Sequence, residues 1–362
     1  MAANTSDEDE LRSAKLLQMK NDSEVEVQNG CFQGVHIKFN SNEEPASASA
    51  IDNEPLEKSP SVQSSVVELS TRSCNDFERW TTASMPSLKG FTNLKTLDLY
   101  KNRYITNLDD SITQLHQLTV LSITRCTSLE RLPASIGQLH LLRELNLTDS
   151  ISIESIPDSI GDLKNLTRLL IGGTSQSRGN KVLKSLPESL GNLTNLRELC
   201  LDKCKALESL PSSVGNLKLL REMHLRECKC LTVLPSSIGD CISLTEMGLS
   251  KCIGLTTLPE TIGNLVNLED LLMTKCKGIL KIPDEIGNCK NLSHLDLRAC
   301  KKLERLPDTI GMLTKLRSLD LSTCKALTAV PPSLENLPEL EEVIIEKCIS
   351  LETIPPFLKK FE

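Results

Sequence analysis

Leucine and its apolar relatives recur along most of this 362-residue chain with one spacing. One stretch reads Leu196, Leu199, Leu201, Cys204, Leu207, Leu210, Pro211 and Leu217, and the next reads Leu220, Met223, Leu225, Cys228, Leu231, Leu234, Pro235 and Cys241, with polar residues filling most gaps. Such units begin at Leu94, Leu118, Leu142, Leu166, Leu196, Leu220, Leu244, Leu268, Leu292, Leu316 and Leu340, 24 residues apart except for one step of 30 from Leu166 to Leu196. A cysteine keeps the same beat at 204, 228, 252, 276, 300, 324 and 348, each followed seven residues later by a proline. A fixed period of this length marks a solenoid, whose units bury their apolar faces only against one another.

Counted from the first leucine of each unit, positions one, four and six are apolar and point to one side, as a short strand requires. Equivalent strands of successive units then pair in parallel at ~4.8 Å spacing. The return path runs through segments such as PSSVGNL and is read as a short helical or 3-10 turn. Strands pack closer than turns, so the stack is expected to curve. The spacing L-x-x-L-x-L-x-x-N/C-x-x-L predicts an α/β leucine-rich repeat solenoid, a horseshoe with a parallel sheet on its concave face and turns on its convex face.

The segments RLPASIGQL (131–139), SLPESLGNL (185–193), TLPETIGNL (257–265) and RLPDTIGML (305–313) resemble plant-type repeats. Over residues 94–362 the chain is similar to the repeat domains of intracellular disease-resistance receptors and of plant Ras-group-related leucine-rich repeat proteins. The resemblance implies a recognition module in plant defence or Ras-type signalling. The nucleotide-binding module of the resistance receptors has no counterpart in this sequence.

Residues 1–65 stand apart. They hold twelve Asp or Glu against five Lys or Arg, which accounts for the whole net charge of −7. The stretch SNEEPASASAIDNEPLEKSPSVQSS (41–65) has too little apolar surface to offset chain entropy. An acidic, largely disordered arm is expected, with one hairpin pattern: Val25 and Val27 face Val35, Ile37 and Phe39 across Asn29-Gly30. Residues 66–93 keep part of the spacing at Val66, Leu69 and Cys74 and are read as a capping unit, ahead of a repeat domain over 94–362. Aromatic residues are absent between Tyr104 and Phe357, so bulky plugs are expected at the two ends. The repeats are balanced in charge, which argues against a nucleic-acid partner. An acidic N-terminus does not suit a signal peptide and no apolar run suits a membrane span. A cytoplasmic protein with no membrane partner is expected, in which the sequons at Asn146, Asn165, Asn192 and Asn291 carry no glycan.

Catalytic chemistry finds no foothold. The histidines at 36, 116, 140, 224 and 294 share no local grouping with a nucleophile. Gly173 and Gly179 ahead of Asn180-Lys181 miss phosphate-loop spacing by one residue and put Asn where Lys belongs. Cys204, Cys228 and Cys230 come nearest to a zinc set but lack a C-x-x-C pair. No enzyme, cofactor or metal is expected. The cysteine position follows the strand, where a small buried donor can bond a neighbouring carbonyl, and Asn102, Ser150 and Thr174 fill it elsewhere. Asn102, Cys126, Cys204, Cys228, Cys252, Cys276, Cys300, Cys324 and Cys348 are therefore assigned to a structural ladder. A reducing compartment disfavours disulfides among them.

Positions three, five, seven and eight face away from the core and form the expected partner-binding surface. At position three Glu198, Glu222, Glu246 and Asp270 make an acidic column, where stacked like charges repel, with Glu144 at the same position beyond Arg168 and with Arg197 and Arg221 at position two to relieve them. His224 and His294 project beside it, Lys203, Lys251 and Lys275 form a basic rim at position eight, and Tyr100 is an aromatic contact near the N-terminal end. The expected function is protein–protein interaction in intracellular signalling. The alternative is a regulatory or substrate-recruiting subunit for a partner enzyme such as a ubiquitin ligase, or a small-GTPase pathway component.

Overall fold

The computed structural model describes residues 24–27, 35–39, 66–70 and 88–361. Its strands are β1 (Glu24–Val27), β2 (Val35–Phe39), β3 (Val66–Ser70), β4 (Thr96–Tyr100), β5 (Val120–Thr124), β6 (Glu144–Asn146), β7 (Arg168–Leu170), β8 (Glu198–Cys200), β9 (Glu222–His224), β10 (Glu246–Gly248), β11 (Asp270–Leu272), β12 (His294–Asp296), β13 (Ser318–Asp320) and β14 (Glu342–Ile344). They form one open sheet in chain order. From β3 to β14 every pairing is parallel. This is the predicted leucine-rich repeat solenoid. The hairpin pattern corresponds to β1 and β2, which pair antiparallel and then extend the sheet through β3. The rest of the first 65 residues, and residues 71–87 of the expected capping unit with Cys74, lie outside the described residues.

The register stacks each position on itself: Glu198 pairs with Glu222, Glu222 with Glu246, Glu246 with Asp270 and Asp270 with His294. Side chains one repeat apart thus become neighbours. Backbone bonding continues past the strands, since Leu225 N–H donates to Gly248 O at 2.7 Å and Glu227 N–H to Ser250 O at 2.8 Å. At position eight the chain then turns left-handed. Lys101, Arg125, Asp149, Lys203, Glu227, Lys251, Lys275, Ala299, Thr323 and Lys347 all have φ between 58° and 64°. A left-handed L-residue costs ~1–2 kcal/mol. The inter-coil hydrogen bond before it and the buried residue after it hold the turn in place.

A 3-10 turn follows each strand from β4 onward, as at Ser212–Asn216. Pro211 precedes that turn with φ −65° and ψ 150°, and Leu217 closes it by donating its N–H to Val214 O. Proline fits because its φ is already set and no strand needs its missing N–H. The glycine of the motif has a separate reason: a Cβ on Gly215 would lie 2.5 Å from the carbonyl oxygen of Ser237 in the next coil. Only glycine lets the coils approach so closely.

The core is one continuous cluster from Val66 to Leu358. Phe91 is fully buried near the first end, and Phe357 is half-buried against the core at the other. Both act as the expected aromatic plugs. The fourth coil differs. Gly173 N–H still bonds Asp202 O in the next coil, but the left-handed residue ahead of the ladder is Gly179, with φ 71°. The extra residues leave the coil between these two glycines.

Candidate functional site

The position-nine side chains lie inside, against carbonyls that end the preceding strand. The thiols of Cys228, Cys252, Cys276, Cys300, Cys324 and Cys348 donate to the oxygens of Leu201, Leu225, Leu249, Met273, Leu297 and Leu321 over 3.0–3.3 Å. Cys126 reaches Leu99 O at 3.7 Å and Ser150 Oγ reaches Ile123 O at 2.7 Å. Asn102 Oδ1 accepts from the backbone N–H groups of Tyr104 and Ile105. Cys204 is as buried as the others, but its thiol finds no such oxygen among the described residues, the coil before it being the one with the insertion. Burial pushes these thiols up, Cys126, Cys276 and Cys324 to about 12.

In the fourth coil the expected ladder residue is corrected. Thr174 is exposed; Asn180 is buried, donates from Nδ2 to Ile153 O at 2.7 Å and accepts at Oδ1 from Val182 and Leu183. The insertion shifts the ladder position by six residues. Two further thiols sit where other repeats carry leucine. Cys241 donates to Val214 O and Cys289 to Ile262 O, at 3.3 and 3.2 Å.

On the solvent face of the sheet the acidic column is interrupted by an arginine and flanked by imidazoles. Arg168 bridges Glu144 at 2.8 Å and Glu198 at 2.6 Å, and its hydrogen bond to Glu198, with help from Glu144, raises its pKa further. His224 lies 3.5 Å from Glu222 and 3.7 Å from Glu246, and His294 Nδ1 lies 2.6 Å from Asp270. Arg197 and Arg221 have no carboxylate partner among the described residues, so the relief expected from them comes from groups on the strands themselves. Beside the column runs a second charged row that the spacing did not single out: Arg226 with Asp202 at 3.4 Å, and Arg298 at 4.0 Å from both Asp296 and Asp320.

The rim residues divide. Lys251 pairs with Glu227 at 2.7 Å, and that bond holds the Glu227 carboxyl below its usual range. Lys275 is exposed. Lys203, by contrast, is only 5% exposed, and its ammonium donates to Ser175 O and Ser177 O at 2.8 and 3.0 Å. It anchors the inserted loop and offers little to a partner. Tyr100 is half-buried; its hydroxyl accepts from Arg125 Nη1 at 3.1 Å, and the Lys101 ammonium lies 5.1 Å from its ring centre.

Glu198, Glu222 and His224 bring one potential metal-ligating atom each within 4.8 Å of one another. Stacking one acidic position in register produces such a grouping by repetition alone. No described helix is long and apolar enough to cross a membrane.

The comparisons with known proteins agree with this architecture. Residues 70–206 match a family described as a leucine-rich repeat region. The leucine-rich repeat domain of the type III effector XopL superposes with a TM-score of 0.50 at 23% identity, over 69% of this chain and 75% of that one. A TDR receptor superposes with a TM-score of 0.52 at 22% identity, over 72% of this chain but only 49% of the receptor chain. A leucine-rich repeat protein of Leptospira interrogans is 26% identical over 78% of this chain and 86% of its own, with a TM-score of 0.41. No curated protein matches the chain. The fold is that of leucine-rich repeat proteins, which generally serve as protein-interaction modules.

Proposed function

We propose that this chain is a non-catalytic recognition module that binds a protein partner across the solvent-facing, concave face of its sheet, within intracellular signalling of the plant-defence type. The observation that carries the reading is the stack of Glu144, Glu198, Glu222, Glu246 and Asp270, partly neutralised by Arg168 and contacted by His224 and His294, with Lys251 and Lys275 along one side. A regular sheet holds these charges in fixed rows. Fixed charge patterns select partners and speed encounter more than they add raw affinity. The scarcity of aromatic anchors there favours a partner that presents basic side chains to the acidic column of the middle repeats.

The ladder thiols bond backbone carbonyls, the state in which a reducing location would keep them. The sequon amides of Asn165 and Asn291 likewise donate across coils to His140 O and Val266 O at 2.8 Å, a use of Nδ2 that a glycan would crowd. The test is affinity capture with the full chain and with Glu222→Lys/Glu246→Lys, after confirming that thermal stability is unchanged. Specific partners should be lost from the variant. Retention of the same partners at the same level would remove this face as the docking surface.

A further inference from the structure

We propose that the cavity walled by the insertion in the fourth coil binds a small molecule carrying several phosphate groups. The cavity, about 500 Å³, lies beyond the carboxyl ends of β4 to β7. Its size is typical of a small-molecule site. Lys101, Arg103, Arg125 and Arg178 line it, against one carboxylate, Asp149.

That carboxylate is already committed. Asp149 Oδ1 accepts from Thr174 N–H at 2.7 Å, its Oδ2 accepts from Thr174 Oγ1 at 2.8 Å, and Arg125 Nε lies 3.4 Å away. Among the described residues no carboxylate comes within ion-pair distance of Lys101, Arg103 or Arg178. Cations gathered without counter-charges repel one another, and an anion of matching charge density relieves them. The planar guanidinium forks of Arg103 and Arg178 suit phosphate oxygens.

The walls are also preset. Arg125 is fixed by the Tyr100 hydroxyl and by Asp149, and the loop bearing Arg178 is pinned by Lys203 at Ser175 O and Ser177 O and by Lys205 at Arg178 O. The Arg125 side chain and the backbone of the loop therefore need little ordering by a ligand, which favours affinity. One phosphorylated side chain brings about two negative charges, fewer than the excess of cations here; several phosphates on one compact molecule match it better. This site lies at the position-eight rim beyond the strand ends, and its test does not depend on the protein-docking reading.

The test uses the full chain with inorganic tripolyphosphate as probe, by titration calorimetry at about 0.15 M and about 0.5 M salt. Arg103→Glu/Arg178→Glu is compared with Lys302→Glu/Lys325→Glu, a control at exposed positions in distant repeats. Arg103→Gln/Arg178→Gln serves if charge reversal impairs folding. The expected result is salt-sensitive binding to the wild type and the control, weakened about tenfold or more in either cavity variant. Equal affinity in wild type and cavity variants, equal loss in the control, or no binding at about 1 mM probe would overturn the proposal. So would binding of a phosphoserine peptide where tripolyphosphate fails.

Discussion

Native thiol titration bears directly on the ladder. Ten of the 14 cysteines are buried, Cys230 is exposed, Cys200 is half-buried, and Cys31 and Cys74 lie outside the described residues. At pH 8 a thiol pushed up to about 12, like Cys276, is ionised in roughly one molecule in ten thousand; at the ordinary 9.0 it would be about one in ten. Ionisation alone therefore slows attack on a disulfide reagent about a thousandfold, before steric exclusion is counted. Cys200, raised to about 11, should react about a hundredfold more slowly than a thiol at the ordinary 9.0. The assay is absorbance-monitored reaction with an aromatic disulfide at pH 8, alongside far-UV circular dichroism, with the total fixed in denaturant. At most four thiols should react before unfolding. Cys348, in the last coil, should be the first of the buried ten to follow. Five or more thiols modified rapidly with unchanged dichroism would refute the structural assignment.

Gly215→Ala should cost about 1–3 kcal/mol in denaturant unfolding by forcing a Cβ onto the Ser237 carbonyl. Gly248→Ala, where an added Cβ would come no nearer than 3.5 Å to a neighbouring strand, at His224 Nδ1, should cost much less; equal effects would dismiss the close-approach argument. For Asp149, burial alone would raise the pKa, but hydrogen bonds from Thr174 and Ser177 and the Arg125 charge outweigh it and leave the group lowered. A depressed carboxyl stabilises the fold above its unfolded value and loses that contribution as pH falls through the folded one. Wild type should therefore exceed Asp149→Asn in urea stability at pH 7, with the gap closing below the ordinary 3.8. A gap that widens as pH falls from 7 to about 2 would contradict the sign of the shift.

The coil repeat, its parallel sheet and the buried cysteine position were legible because they depend on spacing alone. What escaped depends on cross-coil geometry. Position eight carries Lys, Arg, Asp, Glu, Ala and Thr, so nothing in its chemistry announces a left-handed backbone; the inter-coil hydrogen bonds impose it. Lys203 has the composition of a rim residue and becomes a buried anchor only because the loop folds over it. Asn180 could have been found, since Gly179-Asn180-Lys181-Val182-Leu183 aligns with Lys101-Asn102-Arg103-Tyr104-Ile105 once the insertion is placed earlier. Cys241 and Cys289 were hidden by standing at leucine positions. The balance of charges along the sheet needed distances, because Arg168 serves acids 24 and 30 residues away in sequence.

The seam between Gly173 and Gly179 has a consequence for engineering. Chain can depart there and return with the winding of the spiral intact, since the next inter-coil contacts resume at Asn180, which accepts from Lys205 N–H at 2.7 Å. Every other turn of the spiral has the same junction. Foreign peptides grafted at those junctions would project in a row from one border of the protein, each on its own rung.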